Sequence, residues 1–325
     1  MKQEKMQAGR SRLPFRRFEG NPILTADDIP YECNTVFNAA ACRFNGKYVL
    51  LLRVEGLDGH SHLTLAYSDD GYTFTVEPQP WIVPSNDPVF GPYEHYGVED
   101  PRITEIDGVY YIVYTAFSKF GPRVAIARTE DFRTVERVSL ATVTDNKDAV
   151  LFPEKINGKY VLLNRPGGMG GQSACIWISY SPDLIHWGEA KVVLSPRAGW
   201  GNSKLGACTP PIKTDRGWLV LYHGVRVTAA GRLYRIGAVL LDLEDPAKVV
   251  GFTPHFIFGP EEDYERTGDV PNVVFPCGQV LEPDGTLRIY YGAADTCIGV
   301  AEAKLEDIVE LASRCPADAP ECQRR

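Results

Sequence analysis

The sequence lacks the features that would direct the chain into or across a membrane. No stretch approaches the roughly 20 consecutive apolar residues that a membrane-spanning helix needs. The first twenty residues carry two lysines and four arginines but no apolar segment of the kind that a secretory signal requires. These absences argue against a membrane or exported protein and predict a cytoplasmic one.

Cysteine is scarce and scattered, with 8 residues in a chain of 325 and no CxxC pair or Cys/His spacing typical of a metal site. Acidic clusters also lack the spacing of calcium loops, so the sequence predicts neither a metal site nor a bound cofactor. Most of the cysteines sit among apolar or small residues, as reduced and buried thiols do. These are Cys33, Cys42, Cys175, Cys208, Cys277 and Cys297.

Positive charge is in deficit, because 34 Lys and Arg face 42 Asp and Glu, for a formal net charge of −8. This balance argues against broad binding to nucleic acid or anionic membranes, so a basic site for a small anion has to be local. No Gly-x-Ser-x-Gly elbow and no phosphate-binding loop ending in Lys-Ser or Lys-Thr occurs. Serine hydrolase and nucleotide chemistry have no support, and Gly167–Gly171 is interpreted as a flexible loop near the site.

The feature that stands out is an internal repeat, in which a turn glycine is followed by an apolar and aromatic strand. Aromatic and β-branched enrichment bounded by Gly, Asp and Asn is typical of strands. Between the copies, second strands lead into turns that contain Asp. The five copies are Gly46–Arg53, Gly108–Thr115, Gly158–Arg165, Gly217–His223 and Gly285–Gly292.

Five copies of a hairpin-rich unit predict an all-β chain folded as a five-bladed β-propeller, with a β-sandwich as the less favoured alternative. The predicted catalytic domain spans residues 21–311. A 1–20 N-terminal extension precedes it, and a loose 312–325 C-terminal tail follows it. Hardly any segment has a clean helical pattern, and the best candidate is Leu305–Ala312.

The repeated strands finish on polar residues that a buried strand would not carry without a reason, namely Arg53, Arg165, His223 and Asp295. Lys147 and Lys204 lie in the segments that lead into the third and fourth repeats, and the blade geometry aims these side chains at one central funnel. The cations among them would repel one another unless an anion lies between them, either a protein carboxylate or a bound phosphate. The residues expected at this wall of the funnel are Lys147, Arg165, Lys204 and His223.

Asp100 lies in Glu-Asp-Pro-Arg, directly before Pro101, whose ring disfavours helical backbone at the preceding residue. We therefore expect an extended conformation for Asp100. A structural interpretation, in which Asp100 makes a turn hydrogen bond or a salt bridge with Arg102, competes with a catalytic one.

Taken together, these motifs resemble glycoside hydrolase family 130, the mannoside phosphorylases, over about residues 21–303. The resemblance rests on several short segments that are specific in combination. They are Asn34–Ala40, Leu52–Glu55, Gly97–Arg102, Leu151–Lys155, Arg165–Pro166, Tyr222–Gly224, Gly268–Pro276 and Tyr290–Asp295.

The resemblance implies a role for each matching residue and a five-bladed propeller fold. Asp100 matches the catalytic acid, whose proton is relayed through the mannose 3-hydroxyl. Phosphate is held by Lys147, Arg165, Lys204 and His223, although relatives can carry Arg at the first of these positions. The mannose at the cleavage point is held by Asn38, Arg53 and Asp295.

The implied reaction is inverting phosphorolysis, in which inorganic phosphate is the co-substrate and α-mannose 1-phosphate the product. The implied substrates are β-1,2- or β-1,4-linked manno-oligosaccharides, or mannosyl-glucose or mannosyl-N-acetylglucosamine. Tyr93, Tyr96 and Trp200 are candidates for contacts to the acceptor sugar, and association into a homo-oligomer is left open. The alternatives are a β-mannoside hydrolase with Glu55 or Glu99 as base, an arabinan-cleaving hydrolase, and a non-catalytic sugar-binding propeller.

Overall fold

A computed structural model describes residues 13–167, 174–197 and 199–315. Strands make up 51% of the structure and helices 7%, which confirms the all-β prediction. Within the described residues, no helix combines the length and the apolar character needed to cross a bilayer.

The N-terminal half forms an eight-stranded sheet that consists of two antiparallel groups. A single parallel pairing, between Ser61 and Gly97, joins them. Group one contains β2 (Thr35–Phe44), β3 (Lys47–Glu55), β4 (Ser61–Ser68) and β5 (Thr75–Val76), and group two contains β6 (Gly97–Ile106), β7 (Val109–Phe117), β8 (Arg123–Thr129) and β9 (Glu136–Leu140). A strand β1 (Arg16–Arg17), a 3-10 helix (Ala26–Asp28) and a short helix α1 (Gly91–Glu94) lie outside these groups.

The C-terminal half forms three further sheets, all antiparallel. Group three contains β10 (Asn146–Leu151), β11 (Tyr160–Pro166), β12 (Ile176–Ser181) and β13 (Gly188–Leu194). Group four contains β14 (Lys204–Ala207), β15 (Ile212–Thr214), β16 (Gly217–Thr228), β17 (Gly231–Leu241) and β18 (Val249–Phe252). Group five contains β19 (Val274–Leu281), β20 (Thr286–Ala293) and β21 (Cys297–Lys304), to which β1 adds a strand, and the helices are α2 (Asp263–Arg266) and α3 (Leu305–Ser313).

The five predicted repeats are confirmed as strands β3, β7, β11, β16 and β20. Three of them begin after a two-residue Asn-Gly or Asp-Gly turn, at 45–46, 107–108 and 157–158, in which both residues have positive φ. Asn, Asp and Gly tolerate this backbone best, and turns of this type match the twist of a hairpin. The sequence therefore fixes the start of these strands locally.

The apolar faces of neighbouring groups pack against one another. Separate clusters of buried residues lie between groups one and two, two and three, three and four, and four and five. A further cluster, to which Leu50 and Tyr290 belong, joins group five to group one. Strand β2 contacts β6, β6 contacts β10, β10 contacts β14, and β19 contacts β2. The first strands of the groups therefore converge on one region.

The ends of the chain are more integrated into the fold than the sequence predicted. Arg16 pairs with Glu302 in group five, and Phe15 is buried, so the domain includes residues assigned to the 1–20 extension. Helix α3 confirms the predicted helical segment. Cys315 is buried and disulfide-bonded, so the predicted 312–325 tail is packed at its start. The remainder of that tail, 316–325, lies outside the described residues.

The six cysteines predicted to be reduced are free thiols. Cys208 and Cys277 are fully buried in the interior of the sheets. Their burial raises the pKa of the Cys277 thiol above its ordinary value, which keeps it protonated and unreactive.

Candidate active site

A cavity of about 110 Å³ lies where the first strands of the groups converge. All eight residues predicted for catalysis, phosphate and mannose line it, although they come from seven different strands and one turn. The described lining residues are Asn38, Arg53, Asp100, Lys147, Asp148, Arg165, Lys204, His223, Tyr234, Val270, Val273, Phe275 and Asp295.

Three of these residues reach the cavity from the same backbone feature, a β-bulge at which the residue has a positive φ. The pairing of β2 with β3, β6 with β7, and β10 with β11 is interrupted by a register shift next to Asn38, Asp100 and Asp148, respectively. Their φ angles are 49°, 48° and 54°. A bulge redirects a side chain locally, and Asn and Asp are the residues that tolerate positive φ best after glycine. The predicted extended conformation of Asp100 is therefore wrong, because the bulge places it in the left-handed region.

One end of the cavity is acidic and is organised around Asp100. Its Oδ1 accepts hydrogen bonds from Asn38 Nδ2 at 2.8 Å and from Arg53 Nη1 at 2.8 Å. Arg53 also donates through Nε to Ser61 Oγ at 2.9 Å and pairs through Nη2 with Glu99 at 3.0 Å. The guanidinium therefore fixes Asp100 and Glu99 together. Arg53, and not Arg102, is the ion-pair partner of Asp100.

Two carboxyl groups at this end, those of Asp100 and Asp295, have pKa values that are shifted in opposite directions. Burial raises the pKa of Asp100, but the charges of Arg53, Lys147 and Arg102 outweigh it and hold the value below the ordinary range. Burial, together with the charge of Asp100, raises the pKa of Asp295 to about 7. Near neutral pH, Asp100 is ionised while Asp295 exchanges a proton. Pairs of carboxyl groups with separated pKa values are typical of acid–base sites.

The other end of the cavity is basic. Arg165 Nη2 lies 3.1 Å from Asp148 Oδ2, and His223 Nε2 lies 3.4 Å from the same oxygen. Lys147 is the direct cross-strand neighbour of Arg165, and the Lys204 ammonium lies 5.4 Å from the centre of the Tyr234 ring. The predicted gathering of these side chains in one place is observed.

Burial lowers the pKa of Lys204 to about 8, and the charge of Arg165 contributes in the same direction. Burial likewise lowers the pKa of His223 to about 3, so its imidazole is neutral at neutral pH. Burial alone would raise the pKa of Asp148, but Arg165, His223 and Lys147 hold it well below its usual range. Asp148 is therefore a permanent anion in this half of the cavity.

The basic end keeps an excess of positive charge. A protein carboxylate and a bound phosphate are the two anions that could neutralise it. Asp148 supplies one carboxylate, while Lys147, Arg165 and Lys204 supply three cations, and buried Arg102 lies 3.9 Å from Asp148 as a fourth. One carboxylate does not neutralise four cations, so this end of the cavity favours a further anion.

Sequence reasoning missed Asp148, Tyr234 and the role of Arg102. Asp148 directly follows Lys147, and the alternation of side chains along a strand predicts nothing unusual for it. Asn38, Asp100 and Asp148 occupy equivalent positions in the first strands of their groups, and this equivalence is the sequence signal that could have identified Asp148. Arg102 is fully buried and donates through Nε to the carbonyl oxygen of Cys208 at 3.0 Å, so it supports the wall of the cavity.

The three aromatic residues considered for an acceptor sugar are not among the described residues that line this cavity. Tyr96 is 37% exposed and stacks on His60, and Arg123 packs over the ring of Tyr93. Trp200 stacks on Tyr222 and lines a separate pocket. The glycine-rich loop predicted near the site lies outside the described residues, apart from Gly167.

Comparison with known proteins gives a consistent result. Residues 14–314 match the family model for β-1,4-mannooligosaccharide phosphorylase, Glyco_hydro_130. The chain is 40% identical to the 1,2-β-oligomannan phosphorylase of Thermoanaerobacter sp. (strain X514), over 91% of this chain and 99% of the relative. It is 34% identical to the β-1,4-mannooligosaccharide phosphorylase of Ruminococcus albus, over 90% of this chain and 89% of the relative. The solved β-1,2-mannobiose phosphorylase from Listeria innocua, in complex with β-1,2-mannobiose, superposes with a TM-score of 0.85 at 32% identity, over 92% of this chain and 99% of that one.

Proposed function

The chain belongs to glycoside hydrolase family 130, the family of β-1,4-mannooligosaccharide phosphorylase, and on this basis we propose that it cleaves β-mannosides with inorganic phosphate to give α-mannose 1-phosphate. The observation that carries the proposal is a cavity with an acidic end around Asp100 and, around Arg165, a basic end that holds more cations than carboxylates. An inverting glycosidase needs a second carboxylate to activate water, whereas phosphate is already an anion and needs a cationic binding site instead.

We propose that the five strand groups close radially as the blades of a five-bladed β-propeller. Two observations support this arrangement. The first strands of groups one to four contact one another in succession, β19 of group five contacts β2 of group one, and a cluster of buried residues joins the last group to the first. A radial arrangement brings the ends of strands that are distant in sequence to one axis, which is where the cavity lies.

In the proposed reaction, Lys147, Arg165, Lys204 and His223 hold phosphate, and Asn38, Arg53 and Asp295 hold the mannose at the cleavage point. A phosphate oxygen attacks the anomeric carbon and forms the new C–O bond while the glycosidic C–O bond breaks on the opposite face. The leaving oxygen takes a proton that Asp100 supplies through the mannose 3-hydroxyl. Positioning of the nucleophile and neutralisation of its charge are the main contributions of the basic end.

The protonation of Asp100 depends on the substrates. In the free site its pKa lies below the ordinary range, because the charges of Arg53, Lys147 and Arg102 together outweigh the effect of burial. A bound phosphate adds negative charge and a bound mannoside excludes water, and both raise the pKa of a carboxyl group. Asp295, with a pKa of about 7, is the adjacent group from which a proton can be drawn at neutral pH.

The hydrolase alternative has less support. Glu99 is bound to Arg53, and Glu55 accepts a hydrogen bond from Asn34 Nδ2 at 3.0 Å. Neither belongs to the described lining of the cavity, so neither is placed to activate a water against the mannose. A non-catalytic sugar-binding role would not require buried carboxyl groups with separated pKa values or an excess of cations.

We propose β-1,2-linked manno-oligosaccharides as the preferred substrates, since the relative of higher identity is named for a β-1,2-oligomannan. The test is the reverse reaction, in which α-mannose 1-phosphate is supplied with mannose, β-1,2-mannobiose, β-1,4-mannobiose, glucose or N-acetylglucosamine. We expect phosphate release with the mannose acceptors and β-1,2 linkages in the products. β-1,4 products would overturn the linkage alone, and an absence of phosphate release with every acceptor would overturn phosphorolysis.

The pH dependence of phosphate use tests the role of Lys204. Its pKa of about 8 means that its ammonium is charged below that pH and neutral above it. We therefore expect kcat/KM for phosphate to fall above about pH 8. Inorganic phosphate is already the dianion there, so its own titration does not contribute. In Lys204→Arg the charge persists and the fall should move to higher pH. Superimposable profiles for the two proteins would remove Lys204 from the phosphate site.

A further inference from the structure

We propose that Asp148 accepts a hydrogen bond from the protonated oxygen of bound phosphate, and that it thereby makes the site select phosphate over sulfate. The inference rests on the proposed function, because it concerns the anion that the basic end binds. It assigns to Asp148 a role that neither charge neutralisation nor packing would require.

Asp148 is buried with unsatisfied hydrogen-bonding capacity. Its residue is 1% exposed, and within the described chain neither carboxylate oxygen has a hydrogen-bond partner. The N–O distances of its ion pairs to Arg165, His223 and Arg102, at 3.1, 3.4 and 3.9 Å, are longer than that of a charge-assisted hydrogen bond. Buried carboxylate oxygens in native proteins are almost always hydrogen-bonded, so a carboxylate that lines a cavity without a hydrogen bond is suited to a ligand that donates one.

The position of Asp148 is built into the fold. Its φ of 54° and the register shift between Lys147 and Val150 turn the side chain into the cavity. Gly206, on the neighbouring strand β14, allows the close packing around it. A methyl group at position 206 would come within 2.5 Å of Asp148 Oδ2 and 2.4 Å of His223 Cε1. Two strands are therefore shaped so that this carboxylate reaches the cationic end.

Most of the other polar groups at the basic end can only donate. Lys147, Lys204 and Arg165 have no acceptor, and Arg102 is committed to the carbonyl of Cys208. Neutral His223 has one acceptor nitrogen, and its Nδ1 lies 3.8 Å from the Cys208 sulfur. Asp148 is thus the only described group at this end that presents an anionic acceptor to the ligand.

Hydrogen phosphate and sulfate are similar in size and charge but differ in one proton. At neutral pH phosphate keeps at least one P–OH group, which needs an acceptor when it is buried, while sulfate has acceptors only. A carboxylate among the cations satisfies phosphate and repels sulfate. Specificity of this kind comes from a repulsive element against the competitor as well as an attractive one for the ligand.

A purely structural role for Asp148 makes a different prediction. If it only neutralised Arg165 and Arg102, its loss would change the binding of all dianions in the same direction and to a similar extent. The ratio of sulfate to phosphate affinity therefore separates recognition from neutralisation.

The experiment measures KM for phosphate and the inhibition constant of sulfate against phosphate, for the wild type, Asp148→Asn and the exposed control Asp69→Asn. We expect Asp148→Asn to reduce the preference for phosphate over sulfate at least about tenfold, since a charge-assisted hydrogen bond is lost and a repulsion removed. Asp69→Asn should match the wild type. An unchanged ratio in a folded Asp148→Asn would overturn the proposal.

The wild type alone provides a second test if Asp148→Asn does not fold. Arsenate is protonated as phosphate is, while sulfate and monofluorophosphate are isosteric dianions without a proton at neutral pH. Arsenate should compete with phosphate at similar concentrations, and the other two should compete at least about tenfold more weakly. Equal competition by all three would overturn the inference. A wild type that forms no mannose 1-phosphate would instead overturn the proposed function.

Discussion

Replacing Asp100 by Asn should lower kcat for phosphorolysis of a β-manno-oligosaccharide about 10³-fold, the effect expected when a positioned general acid is removed. The amide has nearly the same shape as the carboxyl group, and its oxygen can still accept hydrogen bonds from Asn38 and Arg53, which lie at 2.8 Å in the native protein. Arg53 also keeps its ion pair with Glu99. We therefore expect a folded variant whose defect lies in the chemical step.

The leaving group separates proton donation from a general loss of structure. An aryl mannoside with an acidic phenol as leaving group needs no proton, so Asp100→Asn should recover most of the lost rate on it. Thermal unfolding of the variant and of Asp69→Asn provides the structural control. A variant equally slow on both substrates, or close to wild type on the oligosaccharide, would remove Asp100 from the role of acid.

Replacing Arg165 by Ala should raise KM for phosphate about 10²-fold, because charge-assisted hydrogen bonds to phosphate are lost. The change also leaves Asp148 with less compensation, since Arg165 Nη2 is its nearest ion-pair partner at 3.1 Å. The bare carboxylate would then repel the incoming anion. KM for α-mannose 1-phosphate in the reverse reaction should rise in parallel, because both ligands place a phosphate group at the same site.

Initial rates over a range of phosphate concentrations provide the measurement. Arg165→Lys retains the charge without the planar fork and should lie between Ala and wild type. Arg226→Ala is the matched control, since Arg226 is exposed and lies on the opposite face of β16 from His223. An unchanged KM in Arg165→Ala would contradict the assignment, as would a rate that does not depend on phosphate at all.

The strands were predictable from the sequence because their signals are local. Each repeat carries its own turn, as in Asn45-Gly46, and its own run of apolar residues, as in Tyr48–Leu52. The ends of the domain were not predictable in the same way. Strand β1 is defined by pairing with β21, almost 300 residues later in the chain, and no local pattern at Arg16 reports that partner.

The candidate site was predictable where residues match a family motif, as with Asp100 and Arg165. Asp148 carried no such signal, because a strand residue normally points to one face or the other according to its alternation. Its place in the cavity depends on a bulge and on the space left by Gly206. The pKa values of Asp295 and Lys204 likewise depend on burial and on charges from other strands, which no segment of the sequence contains by itself.

The most direct test of the account is the fate of phosphate when a β-mannosidic bond is cleaved, followed by ³¹P NMR alongside sugar analysis. With purified protein, β-1,2-mannobiose and inorganic phosphate, we expect one α-mannose 1-phosphate and one free mannose for each bond broken, and no cleavage without phosphate. Release of two free mannoses with the phosphate signal unchanged would show hydrolysis and would contradict the assignment of the cationic end of the cavity.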